Sequence, residues 1–387
     1  MELDPNFSKK LMSLGGESLK KCYQCATCSV ICPISPDENP FPRKEMIWAQ
    51  WGAKDKLLKD VDVWLCHHCN DCSEYCPRGA KPGEVLAAIR AAQVQTYTWP
   101  SFIAKIMAHP ASFILFLAIP AILIYAVLQY ARANLGWGYI PEGDIVMSHF
   151  IPHTYVEIAG FIVGGFVGLV ALISAYRFWG AITEGWAKAY DIEAVDDMEM
   201  VIKSRKGFWQ SALAALWDII THNRFKECGV SNYRYFAHLM MFYGFILLGI
   251  STLGAVVYLQ MGMELSLPPT DPVKIVGNLG FIALFAGTTW VIFKRFSDPE
   301  KLGLGSYFDW FFVIILYLVA ITGIAIELAR LAGSVAAYYI YLVHLVFVFT
   351  LLTYAPYSKF AHLLYRAIAY VYSESTGRKA EKTVEKT

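Results

Sequence analysis

Two cysteine runs near the N-terminus share one spacing, and they constrain the fold more than any other feature. Each fits C-x2-C-x2-C-x3-C-P, the ligand run of proteins that hold two 4Fe-4S clusters. In that arrangement the first three cysteines of a run bind one cluster, and the fourth binds the other. The sequence therefore predicts one cluster on Cys22, Cys25, Cys28 and Cys76, and a second on Cys66, Cys69, Cys72 and Cys32.

Other uses of paired cysteines fit this spacing less well. Zinc sites commonly take their four ligands as two C-x2-C pairs, which differ from these tandem triplets; zinc and other cluster types are the remaining alternatives. A disulfide framework belongs to an oxidising compartment, and we expect no cleavable signal peptide before these cysteines. The ninth cysteine, Cys228, stands alone and is predicted to be an ordinary buried thiol.

Beyond residue 98 the chain has the composition of a membrane protein. The whole sequence is 56% hydrophobic with 15% aromatic residues, which is too apolar for an ordinary soluble protein. The net charge of +1 gives no reason to expect a nucleic acid partner. Six apolar stretches are long enough to cross about 30 Å of hydrocarbon: 111–131, 153–178, 235–260, 275–296, 307–332 and 336–357.

The distribution of Lys and Arg predicts which connections face the cytoplasm. Residues 177–234 carry eight of these cations, whereas 132–152 and 261–274 carry one each. Both termini, the segment 179–234 and the connection 297–306 are therefore expected on the cytoplasmic side of the inner membrane. This orientation would keep the cysteine runs in a reducing compartment.

The expected fold is all-α. Residues 1–98 are predicted to form an α-helical ferredoxin domain with two clusters, because 42–51 and 83–95 contain helix formers and no strand alternation. Residues 99–366 are predicted to form a six-span membrane domain, and 367–387 a charged tail.

Residues 186–230 are expected to form amphipathic cytoplasmic helices within that membrane domain. They contain Trp186, Phe208, Trp209 and Trp217. This segment is predicted to be either a linker on the membrane surface or a docking surface for partner proteins.

Histidines in and beside the apolar stretches are candidate haem ligands, because a polar side chain inside a membrane is costly and commonly functional. His344 and His362 lie 18 residues apart, which on one continuous helix is five turns and about 27 Å. The expected pairs are therefore His362 with His238 on the cytoplasmic side, and His344 with His153 on the outer side.

The other histidines have alternative or lesser expected roles. His149 is an alternative to His153, and helix capping or binding of interfacial water is the alternative role for every candidate ligand. His67 and His68, inside the second run, are expected to tune or hydrogen-bond its cluster. His109 and His222 fall in connections and are expected to be solvated.

The paired cysteine runs resemble the C subunit of heterodisulfide reductases. The membrane half resembles the haem b subunits of those enzymes and the γ subunit of respiratory nitrate reductase, whose five helices match the last five stretches. His238 and the spacing of His344 and His362 also match, whereas Leu248 stands where that γ subunit has a further histidine. The fusion is similar to the membrane subunits of quinone-interacting membrane-bound oxidoreductases of sulfate reducers.

This resemblance implies two b haems, menaquinone as substrate, soluble flavin/iron–sulfur partner subunits and adenylylsulfate reductase as the downstream acceptor. It also aligns Lys274 with a quinone-site lysine of the γ subunit. Glu157, one turn inside its stretch, or His344 is a candidate proton acceptor for the quinol. Glu327 and Arg330 are expected to form a structural i,i+3 ion pair.

The predicted function is electron transfer from menaquinol to soluble partners in dissimilatory sulfate reduction. The duplicated C-C-G motifs of the catalytic heterodisulfide reductase subunit are absent from the sequence, which argues against disulfide reduction by this chain itself. The alternatives are a membrane subunit of a heterodisulfide reductase-like or sulfite-reductase-linked quinone complex, and a non-redox membrane anchor whose clusters only stabilise a docking domain.

Overall fold

The computed structural model describes residues 3–36, 39–190, 207–226, 232–263, 267–298 and 305–376. The regular elements in these ranges are helical, with no strand among them, which confirms the predicted all-α class. Cys228 and residues 377–387 of the predicted tail lie outside these ranges.

Short helices surround one longer helix in the N-terminal region. Helices α1 to α8 are Pro5–Leu11, Thr27–Val30, Arg43–Trp51, Lys54–Leu58, Asp62–Leu65, Asp71–Glu74, Pro82–Tyr97 and Ser101–Met107. The predicted helices at 42–51 and 83–95 are therefore α3 and α7. Helix α7 begins at Pro82, whose missing N–H has no cost in a first turn, and most of its side chains are buried.

A buried glutamine of α7 fixes the chain that leads into the second cysteine run. Gln93 is fully buried, and its amide oxygen accepts from the indole N–H of Trp64. Its amide nitrogen donates at 2.8 to 3.1 Å to the carbonyls of Leu57, Leu58 and Asp60. Because buried polar groups need partners, this one side chain holds α4, α5 and α7 in register.

Six helices of the described part are long and apolar enough to cross a membrane: Ser112–Asn134, His153–Thr183, Arg234–Gln260, Pro272–Ser297, Tyr307–Leu331 and Ala336–Thr353. They correspond to the six predicted stretches. In chain order the elements are α9 (Ser112–Asn134), α10 (Met147–Phe150), α11 (His153–Tyr190), α12 (Phe208–Thr221), α13 (Asn232–Gln260), α14 (Pro272–Ser297), α15 (Tyr307–Leu331), α16 (Ala336–Thr353) and α17 (His362–Ser375).

Two of these helices run past predicted boundaries. Helix α11 continues beyond residue 178, where the cytoplasmic segment was predicted to begin, and α17 crosses the predicted boundary at residue 366. Helix α17 packs against α5 and α12, so it belongs to the folded structure and not to a separate tail.

The last span does not continue as one helix to His362, and this expectation was wrong. Residues 354–361 form two short 3-10 turns between α16 and α17. Pro356 has no N–H for a helical hydrogen bond, and Ser358 is extended with φ −100° and ψ −177°. His344 and His362 therefore lie on different helices, so their spacing does not place them on one helix face.

The ferredoxin region packs directly on the ends of two membrane-domain helices. Phe178 of α11 contacts the rings of Tyr97 and Tyr365, with ring centres 5.4 and 5.1 Å apart. Tyr365 of α17 also stacks on Trp64 at 5.0 Å. These side chains belong to one buried apolar cluster, and burial of that apolar area holds the two regions together.

Candidate cluster and histidine sites

The structure brings the cysteines together in the two sets of four that their spacing groups. The first cysteine group lines one cavity and consists of Cys22, Cys25, Cys28 and Cys76. The second cysteine group lines another and consists of Cys66, Cys69, Cys72 and Cys32. The fourth cysteine of each run lies with the first three cysteines of the other run. This is possible because α2 and α6, which carry the third cysteine of each run, pack against each other. The cavities are nearly equal in size, at about 340 and 360 Å³ including their open mouths.

Both cysteine loops have the same unusual backbone conformation. The residues on either side of the second cysteine have positive φ: Gln24 (61°) and Ala26 (69°) in the first loop, His68 (54°) and Asn70 (72°) in the second. Residues other than glycine seldom adopt this left-handed region. Such turns direct successive N–H groups into one concavity, which suits an anionic iron–sulfur cluster.

Backbone N–H groups approach the first sulfur of each run. Gln24 donates to Cys22 Sγ at 3.5 Å, and His68 donates to Cys66 Sγ at 3.3 Å. Burial raises the pKa of the Cys28 thiol to about 11. Because thiol ligands must lose their protons to bind a metal, iron binding at this group displaces a proton that the Cys28 thiol would otherwise keep at neutral pH.

The two cysteine groups differ in their access to solvent. Cys25 of the first group is exposed, and the exposed side chains of Tyr23, Val30 and Tyr75 lie on the same two loops. The second group instead faces α17, and its Cys66 is buried. The first group therefore lies at the protein surface, and the second lies toward the membrane helices.

Three histidines from three different helices meet beside the second cysteine group. This inner histidine group consists of His222 at the end of α12, His238 in α13 and His362 at the start of α17. The ring centres of His238 and His362 are 6.5 Å apart, whereas those of His222 and His238 are 5.0 Å apart. Two imidazoles that share a metal have centres about 6 Å apart, since each nitrogen lies about 2 Å from the metal. The spacing fits His238 with His362.

The hydrogen bonds of the two rings agree with this pairing. His362 donates from Nδ1 to the carbonyl of Lys359 at 2.7 Å, which leaves Nε2 as the unprotonated nitrogen, as in metal-binding histidines. Burial lowers the pKa of His362 to about 3, so the ring is neutral. Nδ1 of His238 is buried without a hydrogen-bond partner among the described residues, an unusual and costly state that indicates a missing partner.

His222 is buried, and the expectation that it is solvated was wrong. Only 6% of the residue is exposed, and its ring contacts Phe242 at 4.8 Å. It has a left-handed φ of 53°, and its Nδ1 donates to the carbonyl of Ile220 at 3.2 Å. A histidine just past a helix end carries no periodic signal of burial, which is why sequence reasoning missed it. His109, by contrast, is exposed.

Direct contacts join the second cysteine group to the inner histidine group. His67, which follows Cys66, contacts the ring of Phe225 at 5.2 Å, and Phe225 contacts His238 at 5.0 Å. Arg366 of α17 donates to the carbonyl of Cys66 at 2.6 Å. Sequence reasoning identified neither Phe225 nor Arg366 as part of a site. The candidate metal sites are therefore neighbours and share supporting side chains.

The candidate outer ligand lies midway along α16. His344 donates from Nδ1 to Thr322 Oγ1 of α15 at 2.9 Å, and that hydroxyl donates onward to the carbonyl of Leu318 at 2.6 Å. His344 lies eight positions after the first residue of α16, or about 12 Å along the helix. His153 begins α11 and His149 is exposed in α10, and no hydrogen bond or ring contact in the described part joins either to His344.

Lys274 is paired within the protein. Its Nζ lies 3.3 Å from Glu327 Oε2, and the amide of Asn278 donates to the other oxygen of Glu327 at 3.3 Å. Arg330 instead donates to the carbonyl of Leu267 at 3.0 Å. The carboxylate therefore forms an ion pair between α14 and α15, in place of the expected i,i+3 pair with Arg330.

Glu157 of α11 has one satisfied and one unsatisfied oxygen. Oε2 accepts from the side-chain amide of Gln260 at 3.3 Å. Oε1 is enclosed and has no hydrogen-bond partner among the described residues. A buried carboxylate oxygen without a partner is costly, so this position suits contact with a bound molecule.

Comparison with known families covers most of the chain. Residues 18–80 match the 4Fe-4S dicluster domain family, and residues 110–383, more than half of the chain, match the family Citrate utilization protein B. The chain belongs to the Citrate utilization protein B family. It is also similar to Citrate utilization protein B of Escherichia coli, with 26% identity over 372 residues, 90% of this chain and 88% of that protein.

The iron–sulfur region of this family member is similar to the C subunits of heterodisulfide reductases. The C subunit of the H(2):CoB-CoM heterodisulfide,ferredoxin reductase of Methanothermobacter marburgensis is 38% identical over 89 residues, 23% of this chain and 48% of that protein. The iron-sulfur C subunit of the CoB–CoM heterodisulfide reductase of Methanopyrus kandleri is 29% identical over 148 residues, 36% of this chain and 74% of that protein. The chain thus spans about half the length of the first relative. These similarities confirm the predicted iron–sulfur electron-transfer domain.

Proposed function

We propose that this chain conducts electrons between menaquinol in the membrane and soluble flavin/iron–sulfur partner subunits, through b haem and two 4Fe-4S clusters. The observation that carries the proposal is the contact chain from His67 through Phe225 to His238, with ring centres 5.2 and 5.0 Å apart. A membrane anchor without a redox role would not require the two kinds of site to adjoin. Similarity to the C subunit of heterodisulfide reductases supports electron transfer by the N-terminal region.

Each cysteine group is proposed to hold one 4Fe-4S cluster. Cavities of nearly equal size, matching left-handed loops and inward N–H groups fit one kind of cofactor used twice. Clusters bound there would accept and release single electrons. Exposed Cys25 makes the first group the natural point of exchange with a soluble partner, and the apolar side chains of Tyr23, Val30 and Tyr75 beside it suit a docking contact.

His238 and His362 are the proposed axial ligands of an inner, low-spin b haem. A haem at this position would provide a one-electron site beside the second cysteine group. For a second haem we propose His344 with His153, or with His149 as the alternative. The proposal rests on Nε2 of His344, which stays available because Nδ1 is bound to Thr322.

The chain is proposed to lie in the cytoplasmic membrane with its iron–sulfur region and both termini in the cytoplasm. The six apolar helices are compatible with a multi-pass membrane protein. The excess of Lys and Arg in residues 177–234 supports this orientation. The inner histidine group would then lie at the cytoplasmic side, next to the ferredoxin region that it contacts.

Two classes of soluble partner are compatible with this arrangement. Resemblance to the quinone-interacting oxidoreductases of sulfate reducers favours adenylylsulfate reductase as the acceptor of quinol electrons. Similarity along 90% of the chain to Citrate utilization protein B favours instead a partner protein that acts in citrate utilization. Either partner would exchange electrons with the same cofactor sites.

The proposed function is tested by mixing the oxidised, purified chain with a soluble menaquinol analogue in a stopped-flow instrument. We expect haem absorbance to show reduction first, followed by reduction of the clusters, because the inner histidine group adjoins the second cysteine group. If the clusters stay oxidised with the quinol analogue but are reduced by dithionite, the chain is an anchor with no redox role. Each candidate partner protein is then added in its oxidised form and, separately, in its reduced form. The form that changes the oxidation state of the clusters gives the direction of electron flow.

Lys274 and Glu157 are the proposed quinone-binding residues. A quinol that is oxidised needs its oxygens held and its protons accepted, and Lys274 offers a cation while Glu157 has an enclosed, unpaired oxygen. We expect Lys274→Ala and Glu157→Gln each to slow haem reduction by the quinol analogue by about a hundredfold. The stopped-flow rate and its inhibitor sensitivity are the measurements.

Arg330→Ala is the matched control for this prediction. It removes a cation from the end of α15 that carries Glu327, the partner of Lys274. Arg330 itself contacts only a backbone carbonyl among the hydrogen bonds described for it. The control should leave the rate unchanged. If both test variants also keep the full rate and inhibitor response, the quinone binds elsewhere in the protein.

A further inference from the structure

Helix α12 exposes one continuous apolar face. Trp209, Leu213 and Trp217 follow one another at helical spacing and are 77%, 66% and 64% exposed, and Leu216 and Ile220 extend the same face. A face of this size, made of two tryptophans and three aliphatic side chains, is unusual on a surface that meets only water.

The opposite face of α12 is made of small residues and is already covered. Ser211 and Ala215 are buried, and α12 packs against α17. Beyond the helix, Arg224 donates to Asp218 at 2.7 Å and to Glu374 of α17 at 2.5 Å. The position of α12 is therefore fixed, and its apolar face points away from the protein.

The end of α12 is attached to the surface of a membrane-spanning helix. Tyr243 of α13 donates from its hydroxyl to the carbonyl of Ile220 at 2.6 Å. Tyr243 itself is exposed, as are Phe236, Ile246 and Ile250 along the same helix. The exposed face of α12 is therefore continuous with side chains that face the lipid if α13 spans the membrane.

We propose that α12 lies in the interface between lipid and water, on the side of the ferredoxin region, with Trp209 and Trp217 inserted among the phospholipids. Helices at this interface present tryptophan and leucine to the acyl chains, and tryptophan is enriched at that depth. Lipid is the occupant because Tyr243 fixes the depth of α12 and because its face continues the surface of a span. The insertion would steady His222, which ends α12 in the inner histidine group.

This inference rests on the membrane placement in the proposed function, and it is independent of haem and quinone. The test places the photo-cross-linking amino acid benzoylphenylalanine at residue 209, or at residue 217 in a second variant. The purified full chain, with its clusters intact by absorbance, is reconstituted in vesicles of phosphatidylethanolamine and phosphatidylglycerol and illuminated. Mass spectrometry then identifies what each position captures.

Two control positions make the result specific. Residue 253 is a leucine with 68% exposure on α13, and it should capture phospholipid if the span is embedded. Ser211 is fully buried on the face of α12 opposite the tryptophans, and residue 211 should capture only this chain. We expect residues 209 and 217 to capture phospholipid as residue 253 does.

Two outcomes would overturn the inference. Capture of phospholipid at residue 253 but not at 209 or 217 would show that α12 lies outside the lipid. Capture of a second copy of the chain at 209 and 217 would show that the face is a protein interface. If residue 253 also captures no phospholipid, the membrane placement itself is wrong.

Discussion

Replacing His238 with alanine is expected to remove the proposed inner haem and leave both iron–sulfur clusters in place. The ring centre of His238 lies 6.5 Å from that of His362, a distance that suits two ligands of one metal. Loss of either ring leaves the iron without one axial ligand, so we expect the variant to contain about one haem fewer per chain. Haem extraction, together with assay of non-haem iron and sulfide, measures both parts of this prediction.

Two variants control the result. His362→Ala should lose the same haem, because it removes the other ligand. His222→Ala should keep it, because its ring centre lies 5.0 Å from that of His238, too close for the two rings to flank one metal. Loss of haem in His222→Ala and retention in His362→Ala would reassign the ligand. Full haem content in His238→Ala would contradict the proposal that His238 is a haem ligand.

The loss of the inner haem should also interrupt the proposed electron path. Phe225 contacts both His67 and His238, so the path from membrane to clusters is proposed to pass through this point. In His238→Ala, the quinol analogue should no longer reduce the clusters, whereas dithionite still should. Stopped-flow spectroscopy of the same preparation separates an interrupted path from a damaged cluster.

Features set by short-range spacing were predictable from the sequence. The cysteine motif fixes which residues can reach one cluster, and the structure groups Cys76 with the first run and Cys32 with the second. The six spans followed from continuous apolar length, because hydrocarbon thickness sets a minimum number of residues. Both signals depend on residues close together in the chain, so neither needs knowledge of the tertiary fold.

Features that depend on distant contacts were not predictable. Pro356 alone does not show whether a membrane helix bends or stops, since neighbouring groups can restore the lost hydrogen bonds; here the chain stops and restarts at His362. Arg366 reaches the carbonyl of Cys66 across 300 residues of sequence. Likewise, His222 becomes part of a site only because α12 packs against α17 while its C-terminal end contacts α13, which no local pattern predicts.

Replacing Cys76 with alanine is expected to remove the cluster of the first cysteine group, although Cys76 belongs to the second run. Each cavity contains the fourth cysteine of the other run, so each run supplies three ligands to one cluster and one ligand to the other. Non-haem iron should fall from about eight to about four atoms per chain. Cys32→Ala should cause the same loss, but from the second group.

Pairs of substitutions identify which cluster each cysteine holds. Cys22→Ala with Cys76→Ala should lose no more iron than either change alone, because both residues bind one cluster. Cys66→Ala with Cys76→Ala should remove nearly all non-haem iron, because each change removes a different cluster. If the iron contents of these two double variants were reversed, the fourth cysteines would not be exchanged. Each run would then hold its own cluster. Cys76 would bind the cluster beside the inner histidine group, and Cys32 would bind the cluster at the exposed first site.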